Sequence, residues 1–132
     1  MPFEKFQPLF DLDNTDIYIL QANIDERDIT EIKACGIINL ERNLDDFGDT
    51  AALIALMDLV ITVDTSIAHL AGALGKQVWV LLPFTPDWRW LLDREDSPWY
   101  PTAKLFRQPG PGQWDAVVAR VRRELVDSPP VL

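Results

Sequence analysis

The stretch Asp58–Pro86, DLVITVDTSIAHLAGALGKQVWVLLPFTP, restricts the fold more than any other part of the chain. Its opening run, Leu59-Val60-Ile61-Thr62-Val63, is nearly all apolar, as in a parallel strand buried on both faces. The run stops at Asp64-Thr65-Ser66. A helix is predicted over Ile67–Leu74, with Gly75 as the left-handed residue that ends it. Val78–Leu82 reads as a second buried strand. The pattern is strand–turn–helix–strand with short connections, and such crossovers are right-handed.

A helix that starts directly after a strand points free N–H groups and the positive end of its dipole at the crevice above the sheet, an arrangement suited to phosphate. Thr65 and Ser66 add hydroxyl donors, Ile67 adds its backbone amide, and Asp64 can accept from ligand hydroxyls. The plainer alternative is that Asp64, Thr65 or Ser66 only caps the helix.

The segment Asp64-Thr65-Ser66-Ile67-Ala68-His69-Leu70, followed by an alanine-rich helix, Gly75-Lys76 and an apolar strand, resembles the carboxyl-terminal half of glycosyltransferase family 9, the heptosyltransferase type with a GT-B fold. With PDWRWLLDREDSPWYP, Pro86–Pro101, it is still more similar to the related domains that follow tetratricopeptide repeats in bacterial proteins. The resemblance spans about Phe3–Leu125. It implies a nucleotide-sugar diphosphate as ligand, held at Asp64, Thr65, Ser66, Ile67 and His69. It also implies that the acceptor site and catalytic base belong to an amino-terminal lobe, so catalytic residues are not assigned. The family often has glycine where Ser66 stands, which narrows the phosphate approach here.

At 132 residues and 48% apolar, the chain is read as one domain with a real core. A net charge of −9 argues against nucleic acid or an anionic membrane as the main partner, because both require a basic surface. No apolar run approaches membrane-span length. Cys35 is the single cysteine, which rules out an intrachain disulfide and fits a reducing, cytoplasmic setting. It is expected to be buried beside Gly36.

Phe3, Phe6, Leu9 and Phe10 have helical spacing suited to packing on a sheet face. Ile17–Leu20 is read as a first strand, Asp25 as the N-cap of a helix that stops at Gly36, and Gly36–Leu40 as a second strand. An acidic loop, Leu44–Gly48, leads to a helix starting at Asp49 or Thr50 and running through Met57. Residues 83–112 hold six of the ten prolines, with Trp88, Trp90, Trp99 and Tyr100 interleaved with charges. This reads as a rigid loop over the sheet's carboxyl edge, with one helical turn at Trp88–Leu92 and a short strand at Lys104–Phe106. Trp114, Val117, Val118, Val121 and Leu125 mark an amphipathic helix, and a frayed tail follows from Asp127.

The fold class is α/β: a single Rossmann-like domain over residues 1–132, with a parallel sheet of about five strands and helices on both faces, half of a GT-B fold. The family places one further strand before the helix that Phe3–Phe10 matches. In a doubly wound order 3-2-1-4-5-6 it is the central strand; without it the order becomes 2-1-3-4-5, with Ile17–Leu20 pairing directly with Leu59–Val63. A strand borrowed from a second copy is the alternative.

His69, the one histidine, has two readings: a donor-site residue, as the resemblance implies, or a hydrogen-bonded residue steadying the Asp64 turn. No second Cys or His accompanies it to make a metal site, and no cofactor is expected beyond the nucleotide sugar. Glu26 is read as a solvated acid at a helix start. Trp88, Arg89, Trp90, Trp99 and Tyr100 are read as a stacking surface for a base or sugar, or as packing at the edge of the core. Arg120, Arg122 and Arg123 are expected to complement the last helix's dipole.

Three functional classes remain. The first is the nucleotide-sugar-binding half of a glycosyltransferase, not catalytic alone and completed by a separate amino-terminal lobe or repeat domain. The second is a degenerate, non-catalytic interaction module, for example a homodimer. The third is a standalone nucleotide or phosphate binder.

Overall fold

The computed structural model describes residues 1–21, 24–40 and 46–129. Five strands, all paired in parallel, alternate with helices. In chain order, a 3-10 helix at Phe3–Leu9 precedes β1 (Tyr18–Ile19), α1 (Glu26–Ala34), β2 (Ile38–Asn39), α2 (Phe47–Leu56), β3 (Val60–Val63) and α3 (Ser66–Ala73). There follow β4 (Val78–Leu82), a 3-10 turn at Trp88–Trp90, β5 (Ala103–Arg107) and α4 (Trp114–Asp127).

The apolar run of β4 is buried at every residue, and alternation sends its side chains into two cores. Val78, Val80 and Leu82 join Ile54, Val60, Ala68, Ala71, Trp90 and Leu105 on the face covered by α2 and α3. Trp79 and Leu81 join Leu9, Phe106, Val117, Val118 and Val121 on the opposite face, under the amino-terminal 3-10 helix and α4. The sheet β3-β4-β5 thus has helices on both sides, as the apolar runs predict.

The expected direct pairing of Ile17–Leu20 with Leu59–Val63 does not form. Among the described residues β1 pairs only with β2, and β3-β4-β5 is a separate sheet. The Val60 N–H donates to the Gln77 carbonyl, so the parallel ladder turns Val60 and Thr62 toward β4 and Ile61 and Val63 away. On β1, Ile17 and Ile19 accept from Ile38 and Leu40, which leaves Tyr18 and Leu20 facing away. An unpaired strand edge is costly only where its N–H and C=O groups are buried. Here Ile61 and Val63 are half-buried and Tyr18 is exposed, so water reaches both edges. A two-residue strand also gains too few bonds, at about 1 kcal/mol each, to outweigh an ordering cost of about 1–2 kcal/mol per residue.

Several boundaries move for local reasons. β1 and β2 are two residues each, shorter than the predicted runs. The helix α2 begins at Phe47 because Asp46 caps it, its Oδ1 accepting from the Asp49 N–H at 2.8 Å. The expected loop residues Leu44 and Asp45, and the tail residues 130–132, lie outside the described residues. Asp25 caps α1 as predicted, and Glu26 lies in its first turn. Gly75, at φ +70°, ends α3 as predicted: Gly75 N–H bonds the Gly72 carbonyl and Lys76 N–H the Ala71 carbonyl.

Two side-chain expectations are corrected. Cys35 is exposed rather than buried, because it sits at the C-cap of α1, where the helix ends before Gly36 and covers nothing further. Arg120 and Arg122 do not serve the end of α4, whose last turn holds no basic residue. Instead Arg122 donates to the Pro8 carbonyl at 2.8 Å, and Arg120 lies over the Phe106 ring and pairs with Glu95. Both tie α4 to distant segments, because cationic side chains on a half-buried helix reach past their apolar stems to acceptors on neighbouring elements. No helix among the described residues is long and apolar enough to cross a membrane.

Candidate functional site

The carboxyl ends of β3, β4 and β5 lead into the Asp64 turn, the loop after Leu82 and Arg107. Thr65 is the N-cap residue of α3, in extended backbone with ψ 174°, yet no side chain among the described residues caps the helix. The Thr65 hydroxyl is engaged instead with the Thr62 hydroxyl at 3.1 Å. Ala68 N–H is taken by the Thr65 carbonyl at 3.1 Å. The N–H groups of Ser66 and Ile67 therefore face the carboxyl edge of the sheet without a capping side chain, and Thr65 and Ser66 are exposed.

The simple capping role considered for Asp64, Thr65 or Ser66 is not what the geometry shows. Asp64 lies with one oxygen 3.6 Å from His69 Nε2, a contact too long for a hydrogen bond. His69 Nδ1 is 3.0 Å from the Tyr100 hydroxyl, and the imidazole stacks on Trp90 with ring centroids 5.2 Å apart and planes at 22°. The structure thus brings Asp64, Thr65, Ser66, Ile67 and His69 together at one turn.

Trp90 and Tyr100 are the residues that sequence reasoning did not connect to His69. Trp90 is fully buried and Tyr100 half-buried, so the aromatic loop divides into an inner pair and an exposed pair, Trp88 and Trp99. Gly72 makes the inner packing possible. A Cβ there would lie 2.5 Å from Cγ of Tyr100.

Arg107, at the end of β5, fastens the loop from beneath. Its Nε donates to the Arg94 carbonyl at 2.9 Å and its Nη2 to the Trp90 carbonyl at 2.5 Å. Burial pushes the Arg107 guanidinium down from its ordinary value, with the nearby Asp93 charge acting in the other direction. Nη1 of Arg107 and Nε1 of Trp90 are both buried without a hydrogen-bond partner among the described residues. Further out, Arg94 grips Asp96 through two bonds of 2.6 and 2.8 Å. This fork raises the Arg94 pKa and lowers that of Asp96.

A surface hollow of about 600 Å³ lies elsewhere, between Pro8 and the Val118–Val126 side of α4, and carries none of these groups. No group of three or more His, Cys, Asp or Glu suited to a metal occurs among the described residues.

An uncapped turn of this kind is shared by many α/β folds, so comparison with known proteins decides the family. Residues 12–108 match the sequence profile of glycosyltransferase family 9 (heptosyltransferase). The chain belongs to glycosyltransferase family 9. The match takes in β1 through β5 and the whole Asp64–His69 turn of this family 9 domain. It is also similar to Protein FlbA of Caulobacter vibrioides, 37% identical over 90 residues. That alignment covers 68% of this chain and 14% of FlbA, so the family 9 domain corresponds to a small part of that relative. No solved structure matches it.

Proposed function

We propose that this family 9 domain is the donor-binding half of a glycosyltransferase and holds the diphosphate of a nucleotide sugar over the start of α3. The observation that carries this reading is the uncapped pair of amides at Ser66 and Ile67, on the carboxyl edge of a parallel sheet. Asp64 is placed to accept from sugar hydroxyls, and His69 sits one turn along, held between Asp64 and Tyr100. In this reading His69 is a donor-site residue that also steadies the turn through its contacts with Asp64 and Tyr100. The two readings of the histidine are then one.

Transfer requires an acceptor held against the donor with water excluded. With Thr65 and Ser66 exposed, the turn does neither by itself, so we assign catalysis to an assembly with a separate amino-terminal lobe or repeat domain. A cytoplasmic setting, where nucleotide sugars are made, agrees with a lone exposed cysteine.

Calorimetry with the uridine, guanosine and adenosine diphosphate sugars tests the reading. Binding of at least one in the micromolar to millimolar range is expected, with no sugar transfer by the chain alone. Absence of heat for all three at millimolar ligand would remove the donor-binding reading. A second reading, a non-catalytic interaction module, draws on the open edges of β1 and β3 and on exposed Tyr18, Ile38, Phe47 and Leu56. It requires concentration-dependent self-association together with no nucleotide binding.

A further inference from the structure

The loop between β4 and β5 keeps two tryptophans in solvent on a rigid support. Trp88 is 70% and Trp99 59% exposed, while Trp90 between them is wholly buried. The support is specific. Trp90 is stacked on His69, Trp99 Nε1 donates to the Arg89 carbonyl at 3.0 Å, and Arg107 bonds the carbonyls of Trp90 and Arg94. A frayed loop would show none of these ties.

Polar groups flank the exposed ring of Trp88. The Arg89 guanidinium lies over one face of the ring, 5.4 Å from its centroid, so a ligand would stack on the opposite face, and Arg89 Nη1 is 3.3 Å from Asp87 Oδ1. An aromatic face beside a carboxylate and a guanidinium matches one chemical class well: a pyranose ring, whose C–H face covers the indole while adjacent hydroxyls donate to Asp87 and accept from Arg89. Position agrees. Trp88 lies two residues before Trp90, in the same 3-10 turn, and Trp90 stacks on His69.

We propose that Trp88, flanked by Asp87 and Arg89, is a sugar-binding platform on which a pyranose ring stacks beside the diphosphate turn. The ring belongs either to the sugar of the nucleotide donor, in which case the proposal rests on the diphosphate reading above, or to a separate glycan acceptor. The platform needs no movement of the inner pair, Trp90 and Tyr100.

Calorimetry on the full chain and on Trp88→Ala and Trp88→Phe separates these cases, using inorganic pyrophosphate, the free nucleoside diphosphates, their sugar forms, and chitotriose. Trp88 is exposed, so both variants fold. If the donor's sugar occupies the platform, a nucleotide sugar loses about tenfold in affinity in Trp88→Ala, the scale of truncating a tryptophan anchor. Trp88→Phe then recovers most of it, and pyrophosphate binding stays unchanged. If an acceptor glycan occupies it, chitotriose alone binds and Trp88→Ala abolishes that binding.

Pyrophosphate bound equally by all three chains, with every saccharide probe indifferent to Trp88, overturns the platform and leaves the diphosphate reading intact. Failure of pyrophosphate and every nucleotide sinks the diphosphate reading. The platform then stands only on Trp88-dependent chitotriose binding, and without that it falls too. A Trp88→Ala change confined to self-association in sedimentation assigns the face to a protein and also overturns the proposal.

Discussion

Replacing Trp90 by alanine is expected to destabilise the chain by about 3–5 kcal/mol, the range for emptying a buried aromatic site. The ring is wholly buried among Val80, Leu82 and Leu105, and its outer face stacks on His69. Alanine would leave a void that β4 and β5, buried along most of their length, cannot collapse to fill. The melting midpoint should fall by more than about 10 °C for a chain of this size. Trp90→Phe should lose much less, because it keeps most of the apolar volume and removes the indole N–H, which is buried without a partner among the described residues. Urea unfolding of the three chains measures both differences. A loss below about 1 kcal/mol for Trp90→Ala would mean that the loop does not pack as described.

Gly72→Ala is the second large effect, and it runs against helix propensity. In an exposed helix this change should stabilise by about 1 kcal/mol. Here the new Cβ would stand 2.5 Å from Cγ and 2.7 Å from Cδ1 of Tyr100. The ring cannot simply swing away, since its hydroxyl is held by His69 and its edge meets Trp90. Overpacking of this kind costs about 1–3 kcal/mol, so net destabilisation is expected. The sharper signature is at His69, whose ring resonances should move as the Tyr100 contact is lost. A Gly72→Ala chain that is as stable as the parent, with an unchanged His69 signal, contradicts the inner aromatic packing.

These two sites show what kind of information the residue order carries. The strand–turn–helix–strand unit was readable because its signals are local: an apolar run, a polar break, Gly75, then a second apolar run. The five candidate residues Asp64, Thr65, Ser66, Ile67 and His69 lie within six positions, so a single turn was bound to gather them. The His69–Trp90 and His69–Tyr100 contacts span 21 and 31 positions, and nothing local separates Trp90 from Trp88. Which tryptophan of Trp88-Arg89-Trp90 turns inward depends on the short 3-10 turn, and the sequence showed only that both are aromatic.

The unclosed gap between β1 and β3 escaped for a different reason. The cost of an unpaired strand edge depends on its access to water, which the order of residues does not show. Arg120 and Arg122 were assigned to their own helix end because the dipole argument is local, but their long stems reach Glu95 and Pro8.

The most direct test of the central claim is a residue-resolved amide titration with inorganic pyrophosphate and with uridine, guanosine and adenosine diphosphates. The reading of α3 as an uncapped, diphosphate-binding start predicts that Ser66 and Ile67 amides move first and furthest, with Asp64 and His69 following. Amides around Pro8 and Val126, lining the hollow by α4, should stay still. Saturating shifts at that hollow, or no shift from Asp64 to Leu70 at millimolar ligand, would contradict the claim that this turn is the binding site.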